Sequence, residues 1–209
     1  MNGQLLDVRT EGMFLGVKID VNLSFSTHID YICSKLSRTV GIIYRLKELV
    51  PKMVKISLYN TLFYPLLTYN ILVWGSTTNN HLYPLQILQK RIVRIIDQIG
   101  FRDHTNPSFF NNKLLKLPDV HEYFVAIYMY KNLDAFNTNA DFHQYNTRGR
   151  EELRSDLCRL KKAQMSIKFV GPKIWNQLPA SLKGATSLPT FKRYLKNYLI
   201  DKYSDASNL

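Results

Sequence analysis

The chain has 209 residues, of which 45% are hydrophobic, and Lys plus Arg outnumber Asp plus Glu by 28 to 16, giving a net charge of +12. This apolar content excludes an intrinsically disordered chain and suits one domain or two small ones. The basic balance favours polyanionic partners, with nucleic acid first and an anionic membrane surface second. A basic protein without such a partner is the alternative that charge alone leaves open.

Cysteine and histidine usage argues against a disulfide scaffold or a structural metal site. The two cysteines, Cys33 and Cys158, form no C-x-x-C pair, and the five histidines do not fall at metal-ligand spacing. No signal segment opens the sequence, and polar residues and Pro65 interrupt its longest apolar-rich run, residues 58–74. We therefore expect an intracellular protein of the nucleus or cytoplasm that is not secreted and has no membrane partner.

Residues 1–25 predict a short N-terminal β-hairpin. Residues 14–19 alternate weakly and include β-branched side chains, which favours a strand. Residues 20–22 supply turn formers, and residues 23–25 can return as the second strand.

Residues 26–136 predict a helical domain. Apolar periodicity and capping signals predict helices at about 26–49, 52–73, 80–98, 107–116 and 120–136. The second of these is apolar on most sides, which is typical of a central core helix. Pro65 should kink this helix or divide it in two, because proline cannot donate a backbone hydrogen bond.

The rest of the sequence predicts a polar linker at 137–164, a small C-terminal module at 165–203 and a polar tail at 204–209. Within the module the patterns predict a strand at 165–170, short helices at 172–178 and 179–182, and a last helix at 189–203. The predicted fold class is therefore mainly α, a helical bundle with a short N-terminal β-hairpin and a small C-terminal α+β module.

Several segments follow one another in an order that is informative as a set. They are FLGVKID, HIDYICSKLSRTVGIIYRL, LYNTLFYPLLTYNILVWG, LQILQKRIVRII, YNTR, FVGPKIWNQLP and FKRYLKNYL. Together they resemble the C-terminal portion, thumb and post-thumb, of a non-LTR (LINE-type, Jockey-like) retrotransposon reverse transcriptase. The resemblance runs from about Phe14 to Leu199 and depends on the ordered set, since no single segment is specific.

The resemblance implies roles for parts of the chain. Phe14, Leu15, Gly16 and Val17 match the primer-grip region that follows the polymerase palm, and the helices after them match the thumb, which would hold the template–primer duplex. The family's catalytic aspartates, which bind Mg²⁺, lie upstream of this match, and the sequence contains no Asp-Asp pair. We therefore expect a fragment that lacks the catalytic palm, with no catalytic residue, no cofactor or metal of its own and no polymerase activity alone.

The first basic region is a candidate for contacts with phosphates. Lys90, Arg91 and Arg94 lie on the helix predicted at 80–98, where Lys90 and Arg94 share one face. Cations at this spacing can meet successive phosphates, and arginine can do so bidentately. The structural alternative is a solvated basic face.

The second basic region covers residues 145–173. Arg148, Lys161 and Lys162 are its candidate phosphate contacts, but acidic residues are interleaved among them and dilute the positive field. A solvated linker is the alternative here.

The function expected from the sequence is binding of RNA, or of an RNA–DNA or DNA duplex, with little sequence preference. The main rival is a protein-interaction or scaffold module that docks on a separate polymerase core through an exposed apolar patch at the hairpin. A decayed transposon product without activity is the third possibility. Neither composition nor motif separates the three.

Overall fold

A computed structural model describes residues 10–142, 145, 148–155 and 157–205. Helices dominate this part of the chain, and a two-stranded antiparallel hairpin lies near its N-terminus. The predicted mainly α fold with an N-terminal β-hairpin is therefore confirmed. One cluster of buried apolar side chains extends from Val17 in the hairpin to Tyr203 in the last helix.

The hairpin consists of β1 (Glu11–Phe14) and β2 (Val17–Asp20). The single strand predicted at 14–19 is wrong, because the chain turns at Leu15 and Gly16, whose φ angles are 45° and 77°. Positive φ at both central residues is what a two-residue turn of this kind requires. Apolar and polar residues alternate equally weakly on both sides of this tight turn. The sequence pattern therefore could not show where the turn lies.

No return strand forms at residues 23–25. The carboxylate of Asp20 instead accepts hydrogen bonds from the backbone N–H groups of Ser24 at 3.1 Å and Phe25 at 2.9 Å. Burial disfavours the charged carboxylate, but these bonds outweigh it and hold the pKa of Asp20 below its usual value. The resulting loop leads directly into α1 (Ser26–Arg45).

The two long helices of the N-terminal half, α1 and α5 (Asn79–Asp97), pack against each other. Both were predicted from their apolar periodicity. Their facing stripes are fully buried at helical spacing, at Ile29, Leu36 and Ile43 on α1 and at Leu85, Ile92 and Ile96 on α5. This pair of helices carries the candidate functional site.

Between them the chain forms a series of short helical segments. These are α2 (Lys52–Leu58), a π-helical segment (Tyr59–Phe63), α3 (Tyr64–Thr68) and α4 (Ile71–Trp74). The interruption predicted at Pro65 is confirmed, because the π-helical segment lies just before it. Proline cannot donate to the carbonyl of Thr61 and its ring crowds that carbonyl, and a wider turn relieves both problems.

The C-terminal half is built on α7. The elements in chain order are α6 (Asn106–Asn111), α7 (Leu117–Lys131), α8 (Lys161–Gln164), α9 (Ile167–Gln177), α10 (Ala180–Lys183) and α11 (Leu188–Asp205). Helix α9 packs against α7, and α11 packs against α6 and α7. Of the predicted tail 204–209, the first two residues continue α11 and the others lie outside the described residues.

The strand predicted at 165–170 is wrong, since α9 begins at Ile167 and no strand forms among described residues 157–205. Residues Gly171, Pro172 and Trp175 of this helix are buried, which is helical spacing. A side chain at Gly171 would place a Cβ 2.4 Å from the Met129 sulfur, so glycine lets α9 approach α7 closely. The alternating pattern fitted both structures, and packing against α7 decides between them.

The segment predicted as a linker, 137–164, is partly held against the helices. Thr138 and Leu153 form an isolated antiparallel bridge. The side chain of Asn176 on α9 accepts a hydrogen bond from Leu153 N at 3.0 Å and donates one to Leu153 O at 2.8 Å. The division into domains at 25, 136 and 164 stays a prediction.

Candidate nucleic-acid interface

A groove lies between the C-terminal ends of α1 and α5 and the turn that follows α5. Its volume is about 340 Å³. Its lining combines cationic, aromatic and apolar side chains: Tyr44, Lys47, Glu48, Arg91, Arg94, Ile95, Gln98, Ile99 and Phe101. Two of the three residues predicted on α5, Arg91 and Arg94, therefore face the same space.

Arg94 is held in place, but not all of its hydrogen-bond donors have a partner. Its Nη2 donates to the backbone oxygen of Asp103 at 3.1 Å, and its guanidinium carbon lies 5.8 Å from the centre of the Phe101 ring. Its Nε is buried and has no hydrogen-bond partner. Of the described carboxylates, none forms an ion pair with Arg94 or Arg91.

The floor of the groove is fixed by side chains that satisfy the end of α1. The backbone oxygen of Lys47, just past that helix, accepts hydrogen bonds from Lys55 Nζ at 2.9 Å and from Gln98 Nε2 at 3.2 Å. Gln98 itself ends α5 in a left-handed conformation with φ of 54°. These bonds satisfy a carbonyl that the helix leaves free and hold the two helix ends together.

Two aromatic rings project from the rim of the groove into solvent. The Phe101 side chain is 86% exposed and the Tyr44 side chain is 53% exposed. The ammonium of Lys47 lies 4.7 Å from the centre of the Tyr44 ring. Exposed aromatic rings beside cations are the arrangement that stacks bases and contacts phosphates together.

One acidic residue, Glu48, offsets part of this positive charge. Its carboxylate lies 3.7 Å from the ammonium of Lys47 and 3.5 Å from the side-chain amide of Gln98. The Glu48 side chain is exposed, and an exposed ion pair of this kind contributes little and is screened by salt. The groove therefore keeps an excess of positive charge.

Lys90 is exposed on α5 but does not line the groove. Its charge acts on Lys116 instead, since burial and then the charge of Lys90 lower the pKa of Lys116, against the attraction of Asp119. In the same region burial and then Lys113 lower the pKa of Lys196. The trio predicted on α5 is thus divided between two neighbouring surfaces.

The residues predicted in the second basic region lie at the surface. Arg148, Lys161 and Lys162 are all exposed, and their role as phosphate contacts stays a prediction. Sequence reasoning also missed Tyr44 and Phe101 as site residues. The only local signal for Phe101 was a large apolar side chain in a polar turn after Gly100.

The four residues predicted to be primer-grip-like form the tip of the hairpin. Phe14 and Leu15 are exposed, and Val17 is buried. The hydroxyl of Tyr69 donates to the backbone oxygen of Leu15 at 2.8 Å, and a Cβ at Gly16 would lie 3.2 Å from the Tyr69 ring. Tyr69 thus fixes the hairpin tip against the helices.

No group of three His, Cys, Asp or Glu side chains able to hold a metal occurs among the described residues. The acidic residues of this part of the chain do not fit a Mg²⁺ site. None of the described helices is both long enough and apolar enough to cross a membrane.

A mainly α protein with a basic, aromatic groove is the class that these features define. Over 135 residues, the chain is 28% identical to the RNA-directed DNA polymerase from mobile element jockey of Drosophila melanogaster, covering 62% of this chain and 14% of that protein. Over 86 residues, it is 29% identical to the probable RNA-directed DNA polymerase from transposon X-element of the same organism, covering 40% of this chain and 10% of that protein.

These matches show that the chain is related to a region of non-LTR retrotransposon reverse transcriptases, as the order of its motifs predicts. The chain spans about 14% and 10% of the lengths of the two curated relatives. No protein-family model matches the chain. No solved structure matches it.

Proposed function

We propose that this chain binds nucleic acid with little sequence preference, as the part of a reverse transcriptase-type protein that holds RNA or a template–primer duplex. The observation that carries the proposal is the groove in which Arg91, Arg94 and Lys47 lie beside the exposed rings of Tyr44 and Phe101. The relation to RNA-directed DNA polymerases supports it.

Charge complementarity is the proposed mechanism. Cations that neutralise phosphates release condensed counterions, so affinity falls steeply as salt rises. Phosphates are the same for every sequence, which makes such contacts unspecific. The aromatic rings add stacking on any base that is not paired, and this too tolerates all sequences.

The test removes both arginines of the groove. We expect Arg91→Ala with Arg94→Ala to weaken binding of an RNA–DNA duplex by a similar factor for unrelated sequences, and to reduce the salt dependence by about two phosphate contacts. Fluorescence anisotropy at several salt concentrations measures both effects.

The matched control removes the same charge from α11, with Lys192→Ala and Arg193→Ala, which lie outside the groove lining. We expect this variant to keep most of the affinity. Equal losses in the two double variants would assign binding to net charge and contradict a site in the groove.

A second candidate function is docking on a polymerase core, and the hairpin favours it. Met13, Phe14 and Leu15 are 59%, 65% and 72% exposed, although they are large apolar side chains. β1 and β2 have no other neighbour among the described strands, so the hairpin offers open edges to a strand of that core.

Phe14→Ser with Leu15→Ser tests the docking candidate. If docking operates, these changes abolish association with a polymerase core, and association resists high salt because it is apolar. Association that salt abolishes would favour the nucleic-acid proposal. A chain that binds neither partner would support a product without activity.

A further inference from the structure

A second cavity lies on the other half of the molecule, where the segments around 137–142 and 148–155 meet α7 and α9. Its volume is about 310 Å³. Three aromatic and two cationic side chains line it together with one isoleucine: Tyr128, Phe136, Phe142, Arg154, Lys168 and Ile167. Arg154 and Lys168 belong to the second basic region of the sequence, whereas Phe136 and Phe142 were not predicted as site residues.

The backbone geometry explains why Arg154 reaches this cavity. Its N–H donates to the backbone oxygen of Asn137 at 2.9 Å, and the Asn139 N–H donates to Glu152 O at 3.0 Å. Asn176 holds the intervening Leu153 through both backbone groups. Three separate attachments thus fix a segment without regular structure at the cavity's edge.

The cations of the cavity are not neutralised by described acidic groups. The guanidinium carbon of Arg154 lies over the Phe142 ring, 3.8 Å from its centre, at the distance of a cation–π contact. Lys168 lines the same cavity from α9. Neither Arg154 nor Lys168 forms an ion pair with any carboxylate in the described part of the chain.

Aromatic side chains beside cations indicate which kind of ligand the pocket can bind. Aromatic faces accept the flat face of a nucleobase, and free cations accept its phosphate. The volume lies at the lower end of what small-ligand pockets have, which suits one nucleotide and is too small for a duplex. Phe142 is 52% exposed, so its ring can be reached from solvent.

We propose that this pocket receives one unstacked nucleotide of a single strand, with the base against the aromatic side chains and the phosphate at Arg154 and Lys168. The inference rests on the proposed nucleic-acid binding and deepens it. The groove between α1 and α5 would contact the phosphate backbone, and the pocket would recognise a strand that is unpaired.

The experiment compares three labelled probes by fluorescence anisotropy: a single-stranded RNA, the same strand made abasic, and a blunt RNA–DNA duplex. Phe142→Leu removes the ring and keeps an apolar side chain. We expect this variant to lose about five- to one-hundred-fold affinity for the single strand, since stacking one base contributes that much. Its affinity for the abasic strand and the duplex should not change.

Lys168→Ala tests the phosphate contact, and Lys173→Ala is its matched control. Both lysines lie on α9, but only Lys168 lines the pocket. Unchanged thermal unfolding of each variant excludes loss of the fold. Equal affinity of Phe142→Leu and the original chain for the single strand would overturn the pocket, as would an equal loss with the abasic strand.

The two proposals fail in different ways. If the abasic strand binds and the Arg91 and Arg94 variant loses that binding, the groove stands whatever happens at Phe142. If the bases add affinity that Phe142→Leu removes, the pocket stands even where the groove variant has no effect. A chain that binds none of the three probes overturns both proposals.

Discussion

The two basic regions of this chain differ in what holds their cations in place. Arg91 and Arg94 project from α5, a helix of 19 residues with a buried face along its length. Arg154 projects from a segment without regular structure that is attached by single hydrogen bonds and by Asn176. Two basic segments of the sequence thus produce two kinds of surface.

This difference has a consequence for dynamics. Elements with many buried contacts open only when the whole domain unfolds, whereas segments held by a few exposed bonds open locally. We therefore expect the groove to persist as long as the fold does. The pocket should open first and should respond to changes that leave the rest of the molecule folded.

The largest expected loss of unfolding free energy comes from removing the buried hydrogen bonds that hold α5, which carries the groove, in place. Gln89 is buried on α5, where its amide donates to Tyr59 Oη at 3.0 Å and to Leu115 O at 2.8 Å and accepts from Leu117 N at 2.8 Å. Gln89→Leu leaves all three partners without a bond in the interior. We expect a loss of at least about 3 kcal/mol of unfolding free energy, measured by urea denaturation.

Gln86→Leu is the matched control, because Gln86 lies one turn earlier on α5 and is only half-buried. This change should alter the unfolding free energy by less than about 1 kcal/mol. Similar losses for the two glutamine variants would show that the buried hydrogen bonds of Gln89 do not support the helix.

The next effect concerns α7, which contacts both α5 and α9. Burial lowers the pKa of His121 on this helix from 6.5 to about 4. Between these values the unfolded chain binds a proton that the folded protein does not, so stability falls as pH falls through this range. The contribution reaches on the order of 3 kcal/mol at the acid end.

Urea denaturation at pH 7 and pH 4.5 checks this pH dependence. We expect His121→Gln to lose clearly less stability between the two pH values than the original chain. Some loss should remain, because burial and then Lys18 lower the pKa of His28 in the same direction. Identical losses in the two proteins would contradict a buried neutral His121.

The smallest expected effect on global stability best separates local opening of the segment that carries Arg154 from unfolding of α1 and α5. Asn176→Ala removes both hydrogen bonds to the backbone of Leu153. We expect about 1 to 3 kcal/mol of local destabilisation, because the buried backbone groups of Leu153 lose their partners. Hydrogen exchange should show faster exchange at Leu153 while amides of α1 and α5 keep their protection.

Gln177→Ala serves as the control, since Gln177 is the exposed neighbour of Asn176 on the same helix. Its amide exchange pattern should match that of the original chain. Faster exchange throughout α1 and α5 in the Asn176 variant would show that the two regions unfold together.

Sequence reasoning located the elements whose periodicity is long and regular. The helices α1, α5 and α11 were predicted close to their observed bounds, because an apolar stripe repeated over four or more turns fits only a helix. Short elements were less predictable. The pattern at residues 165–170 fitted a strand, and only the packing of Gly171 against Met129 shows why a helix forms there.

The candidate site was predictable in part for the same reason. The sequence placed Arg91 and Arg94 on one long helix, but the pair predicted to share a face was Lys90 and Arg94, and Lys90 does not line the groove. Tyr44 and Phe101 come from other elements, and nothing in their local sequence says that they meet those arginines. The same holds for Phe142 and Arg154, which are twelve positions apart in a segment without helical or strand periodicity.

The sequence by itself determined the mainly α class, the basic balance and the relation to non-LTR reverse transcriptases, because these depend on composition, periodicity and the order of motifs. The tertiary structure alone decided which cations and aromatic rings share a surface. That outcome depends on contacts between distant segments, such as Lys55 and Gln98 at Lys47 or Asn176 at Leu153. Such contacts follow from packing and hydrogen-bond geometry, which no local pattern encodes.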